Sequence, residues 1–169
     1  MATVNKSALL LTLLTMSTHL WALDSDSEQP ISVEADSLEV RDEENVSIYQ
    51  GNVRLVQGSL EISSDRLEIH FDDNKDLVLM EMTGRPARFR QLDEERKELL
   101  GEAEQINYIE SKSLLELREN ARFSHAGDTI ESNLIRINTE TNSIEAGSSE
   151  SDQRVKMLIK PRQKSTTTD

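Results

Sequence analysis

The chain has 169 residues and a formal net charge of −13, with 36% hydrophobic and 4% aromatic residues and no cysteine. Such an acidic balance excludes electrostatic binding to nucleic acid or to an anionic membrane surface, so nucleic acid is not an expected partner. The missing thiols exclude a disulfide framework and a thiolate metal centre, and so few aromatics argue against a thick two-sided core.

Residues 1–22 read as a secretory signal peptide. Lys6 gives a basic start, the run from Ala8 to Leu14 is apolar, and Ala22 is a small residue at the expected cleavage position. That apolar run is too short for an anchor helix, which needs about 18 residues or more. Removal of Lys6 with the leader takes the formal net charge from −13 to −14. An exported, periplasmic product is expected, with one β-roll domain over residues 23–160. Residues 161–169 are polar and unpatterned, as in a disordered tail.

From Ile31 to Ile159 the pattern is of short alternating strands. Val53 and Leu55 alternate with polar neighbours, as do Leu60 and Ile62, and Leu67, Ile69 and Phe71. The pattern continues at Ala87/Phe89, Ala121/Phe123, Ile135/Ile137 and Ile144/Ala146. Turn signals stand between these runs, including Gln57-Gly58, Asp72-Asp73-Asn74-Lys75 and Ala126-Gly127-Asp128. An antiparallel sandwich, roll or barrel is the class such spacing predicts. Residues 91–106 also fit helical spacing, yet repeat register favours a strand, an acidic loop and a second strand.

Two punctuations recur. One is a small residue, an acid or amide, a spacer and an aliphatic: Ala35-Asp36-Ser37-Leu38, Ser64-Asp65-Arg66-Leu67, Ala103-Glu104-Gln105-Ile106 and Ser132-Asn133-Leu134-Ile135. Between them fall Gly51-Asn52-Val53, Gly84-Arg85-Pro86-Ala87 and Glu119-Asn120-Ala121, about 34 residues apart. The first and third copies of the first punctuation, like its second and fourth, are offset by 68 residues. Repetition at such a period marks stacked supersecondary units.

No catalytic residue stands out. No nucleophile elbow, phosphate loop or dinucleotide fingerprint is present, and no carboxylate pair is singled out for acid/base work. His70 and His125 read as lone, solvated strand histidines, so no metal site and no cofactor is expected. The run from Asp93 to Glu98 reads as a solvated loop, since its spacing does not match a calcium loop.

In order along the chain, Gln29-Pro30-Ile31-Ser32-Val33-Glu34-Ala35-Asp36, Tyr49-Gln50-Gly51-Asn52-Val53, Gln57-Gly58-Ser59-Leu60-Glu61-Ile62, Gly84-Arg85-Pro86-Ala87-Arg88-Phe89 and the closing stretch from Arg154-Val155 to Pro161 resemble the periplasmic lipopolysaccharide-transport protein A (LptA, OstA-like) family. The resemblance implies an all-β fold: an open, twisted antiparallel β-roll, V-shaped and jellyroll-like, of about sixteen short strands. It further implies a carrier of lipopolysaccharide, bound through its lipid A acyl chains, with Ile31, Val33, Phe89 and Tyr108 at the family's lipid-facing positions. Alternation separately points Val53, Leu55, Leu60, Ile62, Leu67, Ile69 and Phe123 to the same interior, as lipid contacts or as plain core.

An open roll has unpaired terminal strands, which are templates for another chain. The strand with Pro30, Ile31 and Val33 is expected to accept an upstream partner, and the one with Val155, Met157 and Ile159 to add to a downstream one. Head-to-tail homo-oligomers follow, because such contacts do not close. By the resemblance, the neighbours are an inner-membrane-anchored transport component and an outer-membrane assembly protein. The competing expectation is a self-assembling periplasmic scaffold with a filled core. Three phenylalanines, with Trp21 confined to the leader, favour a cavity over that.

Overall fold

The recurring punctuation marks where strands bend, not where they end. Among the described residues of the computed structural model, Asp26, 28–147 and 153–161, there are ten strands. They are β1 Ser32–Glu34, β2 Ser37–Arg41, β3 Val46–Gln57, β4 Leu60–Phe71, β5 Leu77–Leu92, β6 Glu98–Ile109, β7 Leu114–His125, β8 Asp128–Asn138, β9 Ser143–Ala146 and β10 Lys156–Leu158. All pairings are antiparallel, in the order β1-β3-β4-β5-β6-β7-β8-β10, with β2 also on β3 and β9 also on β8. The expected leader lies outside the described residues, as does the tail after Pro161.

The count of about sixteen is therefore corrected to ten. Each long strand from β3 to β8 runs through a register shift, so two of the short strands expected from sequence form one bulged strand. Both punctuations fall at these shifts, at Gly51-Asn52, Ser64-Asp65, Gly84-Arg85-Pro86, Ala103-Glu104, Glu119-Asn120 and Ser132-Asn133. A bulge bends its strand and raises its twist. Aligned across the sheet, the bulges form one crease.

The crease explains the motif chemistry. Gly51 has φ +81° and Asn52 φ +46°; the equivalent Glu119 and Asn120 have +62° and +54°. Opposite them the motif acid accepts a hydrogen bond: Asn52 Nδ2 donates to Asp36 at 2.8 Å and Asn120 Nδ2 to Glu104 at 2.6 Å. Asp65 faces Arg85 at 3.8 Å. The small residues Ser64, Ala87, Ala103, Ala121 and Ser132 are buried beside the bend, where the two half-sheets meet.

Inner-face rows run across the sheet on either side. One passes through Tyr49, Leu67, Met82, Ile106, Leu117, Ile135 and Ala146. The other passes through Val33, Leu55, Ile62, Phe89, Gly101, Phe123, Ile130 and Met157. Leu67, Ile106, Leu117 and Ile135 are fully buried, a gain of about 1.5–3 kcal/mol each.

The repeat holds pair by pair. Val33↔Leu55 recurs 68 residues later as Gly101↔Phe123, Leu38↔Tyr49 as Ile106↔Leu117, and Val46↔His70 as Leu114↔Asn138. The 3-10 turns Asp42–Glu44 and Glu110–Lys112 obey the same offset. Thus β1 and β2 together are the first unit's version of β6.

Two expectations about polar residues are corrected. His125 is not a lone solvated histidine, and Asp93 is not part of a solvated loop: Asp93 is 2% exposed, and its carboxylate meets His125 Nε2 at 2.8 Å and accepts the Lys97 backbone N–H at 2.8 Å. His70, the other histidine read as lone, lies 3.2 Å from Glu81. Outward carboxylates are not all merely solubilising either, since buried Glu116 accepts hydrogen bonds from Arg136 at 2.7 Å and Arg118 at 2.8 Å.

Burial of Asp93 favours its neutral form, but the hydrogen bonds from His125 and the turn backbone outweigh this and hold its carboxyl below the usual range. A depressed folded pKa stabilises above the unfolded value, near 3.9 by the usual reference of about that figure, and the contribution is lost as pH falls through the folded value. Asp93→Asn should therefore cost about 1–3 kcal/mol at neutral pH and lose less stability than wild type on acidification. Urea denaturation across the acid range checks this; parallel curves would exclude it.

Candidate functional site

The two half-sheets fold over the crease and leave an apolar cavity of about 440 Å³ between them. Leu60, Ile62, Phe89 and Leu99 line it from one half-sheet. Leu77, Met80, Met82, Ile106, Tyr108 and Leu115 line it from the other. Polar groups are confined to Gln57, Gln91, Thr139 and the Tyr108 hydroxyl. Burial, and then the adjacent Glu110 carboxylate, push that hydroxyl up to about 12, so it stays neutral at ordinary pH. The cavity holds neither an acid/base pair nor a charge; its chemistry is that of an apolar receptor.

Phe89 has room because Gly101 has no side chain. A Cβ at Gly101 would lie 2.0 Å from Phe89 Cε1. The Phe89 ring tilts against Phe123 with centroids 6.5 Å apart. Leu55, Leu67 and Phe123 are packed in the core behind the cavity.

One lip of the trough is laced by side chains at intervals of 32 or 33 residues. Ser59 donates its backbone N–H to buried Asp26 at 2.9 Å, and its hydroxyl accepts from Leu92 N at 3.1 Å. The Asp93–His125 contact joins the next two turns, and Lys160 N donates to Asp128 at 2.9 Å. On the other lip, Asn45 O accepts from Phe71 N at 3.0 Å and Ser113 O from Thr139 N at 2.8 Å.

Of the residues expected to face lipid, Leu60, Ile62, Phe89 and Tyr108 line the cavity. Val53, Leu55, Leu67 and Phe123 belong to the buried core, with Val33 and Ile69 packed against it. Ile31 is 60% exposed, at the entry to β1. Sequence reading missed Leu77, Met80, Met82, Leu99, Ile106 and Leu115 as cavity lining. Their signal is the 68-residue offset between Leu38 and Ile106, and the run Leu77-Val78-Leu79-Met80-Glu81-Met82, whose unbroken apolar start hides the alternation.

Among the described residues both sheet edges are open. The edge residues Ile31, Leu38, Val40, Ile144, Val155, Met157, Leu158 and Ile159 are exposed apolar side chains. Pro30 precedes β1, and Val155 and Ile159 flank β10. Besides the expected terminal strands, β2 and β9 also present an edge unpaired among the described residues.

The family profile described as LptA/(LptD N-terminal domain) LPS transport protein matches residues 32–143. The chain is 31% identical over 150 residues to the lipopolysaccharide export system protein LptH of Pseudomonas aeruginosa, covering 85% of this chain and 86% of that one. It is 27% identical over 154 residues to the lipopolysaccharide export system protein LptA of Escherichia coli K12, covering 89% and 82%. The crystal structure of the Pseudomonas aeruginosa LptH, the LptA-homologous periplasmic component of the conserved lipopolysaccharide transport device, superposes with a TM-score of 0.72 at 28% identity, covering 81% of this chain and 99% of that one. An open antiparallel jellyroll-like sheet, its bulge-marked repeats and a match over most of its length place this chain in the LptA/LptD N-terminal family of lipopolysaccharide transport proteins, a non-enzymatic family.

Proposed function

We infer that the protein is a periplasmic carrier that takes the acyl chains of lipopolysaccharide into the trough and passes them along a head-to-tail bridge from the inner to the outer membrane. The observation that carries this reading is the apolar cavity lined from both half-sheets. Its volume of about 440 Å³ lies within the range of ligand sites, about 300–1,000 Å³. Each methylene withdrawn from water contributes about 0.8 kcal/mol, so tails alone supply ample affinity without a basic headgroup site. The chain has no nucleotide motif; direction must come from an inner-membrane-anchored component upstream, with an outer-membrane assembly protein receiving cargo downstream. Export by the leader at 1–22 supplies the compartment.

Purified lipopolysaccharide should crosslink to a photoreactive residue at Phe89 and not at Arg88, its neighbour on the opposite face. Adducts at Arg88 alone would overturn the trough as the cargo path, and adducts at neither position would favour the cargo-free scaffold.

A further inference from the structure

We propose that Glu68, His70 and Glu81 form a divalent transition-metal site on the outer face of the half-sheet that walls the cavity. One ligand atom from each lies within 4.8 Å of the other two. His70 Nε2 and Glu81 Oε2 are 3.2 Å apart, close to the separation of about 3.3 Å for two ligands of a tetrahedral zinc ion.

The site is held by sheet register, not by a loop. Glu68 on β4 stands directly opposite Glu81 on β5, and His70 follows two residues along the same face as Glu68. Like charges in opposed positions repel, so this pairing favours a cation between them. Arg66 Nε takes one oxygen of Glu68 at 2.8 Å and leaves the other unclaimed by it.

An imidazole nitrogen with carboxylate oxygens suits Zn²⁺ or Co²⁺ better than Mg²⁺ or Ca²⁺, which favour all-oxygen sets. The three side chains are each about a third exposed or less, so the ion keeps an open position towards solvent. Met80 and Met82, which flank Glu81, face the cavity on the opposite side of β5. A bound ion would clip β4 to β5 behind that wall.

The test is Zn²⁺ calorimetry, Co²⁺ absorption spectra and thermal unfolding with and without Zn²⁺ on the signal-free chain, with His70→Gln, Glu81→Gln and His125→Gln compared. Wild type and His125→Gln should bind one ion and melt higher in Zn²⁺, whereas His70→Gln and Glu81→Gln should each lose at least about tenfold in affinity. Glu81→Gln also guards against a merely misfolded variant, because removing one of two opposed carboxylates should raise the melting temperature of the metal-free chain. Equal Zn²⁺ affinity in wild type and His70→Gln, or no binding in wild type, would overturn the proposal.

Discussion

Gly101→Ala is expected to empty the protein of cargo before it unfolds it. The new methyl would sit 2.0 Å from Phe89 Cε1, so the ring must move. Behind it stands Phe123, buried and in ring contact; in front lies the cavity that Phe89 itself lines. The ring therefore swings into the cavity. Gly101 carries no left-handed backbone constraint, so the alanine conformation itself is permitted. Overpacking of this kind costs about 1–3 kcal/mol. If the displaced ring excludes even two methylenes of an acyl chain, at about 0.8 kcal/mol each, affinity for lipopolysaccharide falls about tenfold or more. Adding Phe89→Leu to Gly101→Ala should restore most of that affinity. Unchanged binding in the single variant would show that the cargo does not enter beside Phe89.

Much of this fold is legible in the sequence because each half-strand keeps strict alternation, and because the bulges carry their own residues. Ser64-Asp65-Arg66-Leu67 shows how far that legibility reaches. Ser64 and Leu67 share the inner face although they stand three positions apart, since the register shift with β5 absorbs the odd residue. Alternation read on each side gives the correct face, yet nothing in it tells a bend from an end, hence the expectation of about sixteen strands. The pairings of Asp93 with His125 and of His70 with Glu81 were illegible for a different reason. Partners 32 and 11 residues apart meet only once the register is fixed, and a histidine read alone carries no sign of its neighbour. The cavity lining was half legible: Phe89 and Ile62 sit in alternating runs, whereas Met80 and Met82 sit in a stretch that is apolar throughout its first four residues.

Lys156→Glu is expected to break head-to-tail assembly, and adding Glu34→Lys in the same chain to restore it. The internal repeat supplies the register. Ile130↔Met157 and Glu131↔Lys156 repeat Ile62↔Phe89 and Ser63↔Arg88 at an offset of 68, so β10 is the second unit's version of the distal half of β5. Since β1 is the first unit's version of β6, β10 of one copy should meet β1 of the next as β5 meets β6. Phe89↔Gly101 and Arg88↔Glu102 then become Met157 opposite Val33 and Lys156 opposite Glu34. That register extends both faces. On the inner side Met157, 60% exposed in the single chain, gains Val33 as a neighbour. On the outer side the cross-strand row through Arg88, Glu102, Arg122, Glu131 and Lys156 alternates in sign, with Arg88–Glu102 at 3.2 Å and Arg122–Glu131 at 3.6 Å, and Glu34 followed by Arg54 continues the alternation. Exchanging an opposed ion pair for a like-charged one shifts a junction by about 1–2 kcal/mol, or about five- to thirtyfold in dissociation constant. Sedimentation velocity over a concentration series reads this directly. Rescue by the double exchange would fix the register, because a junction slipped by even one residue would place both substituted side chains opposite other partners. Assembly lost in both variants would instead mean either that the edges join in another alignment or that the like-charged pairs the exchanges create with Glu131 and Arg54 loosen β10 and β1 within the chain, and assembly unaffected by either would mean that β10 and β1 do not meet.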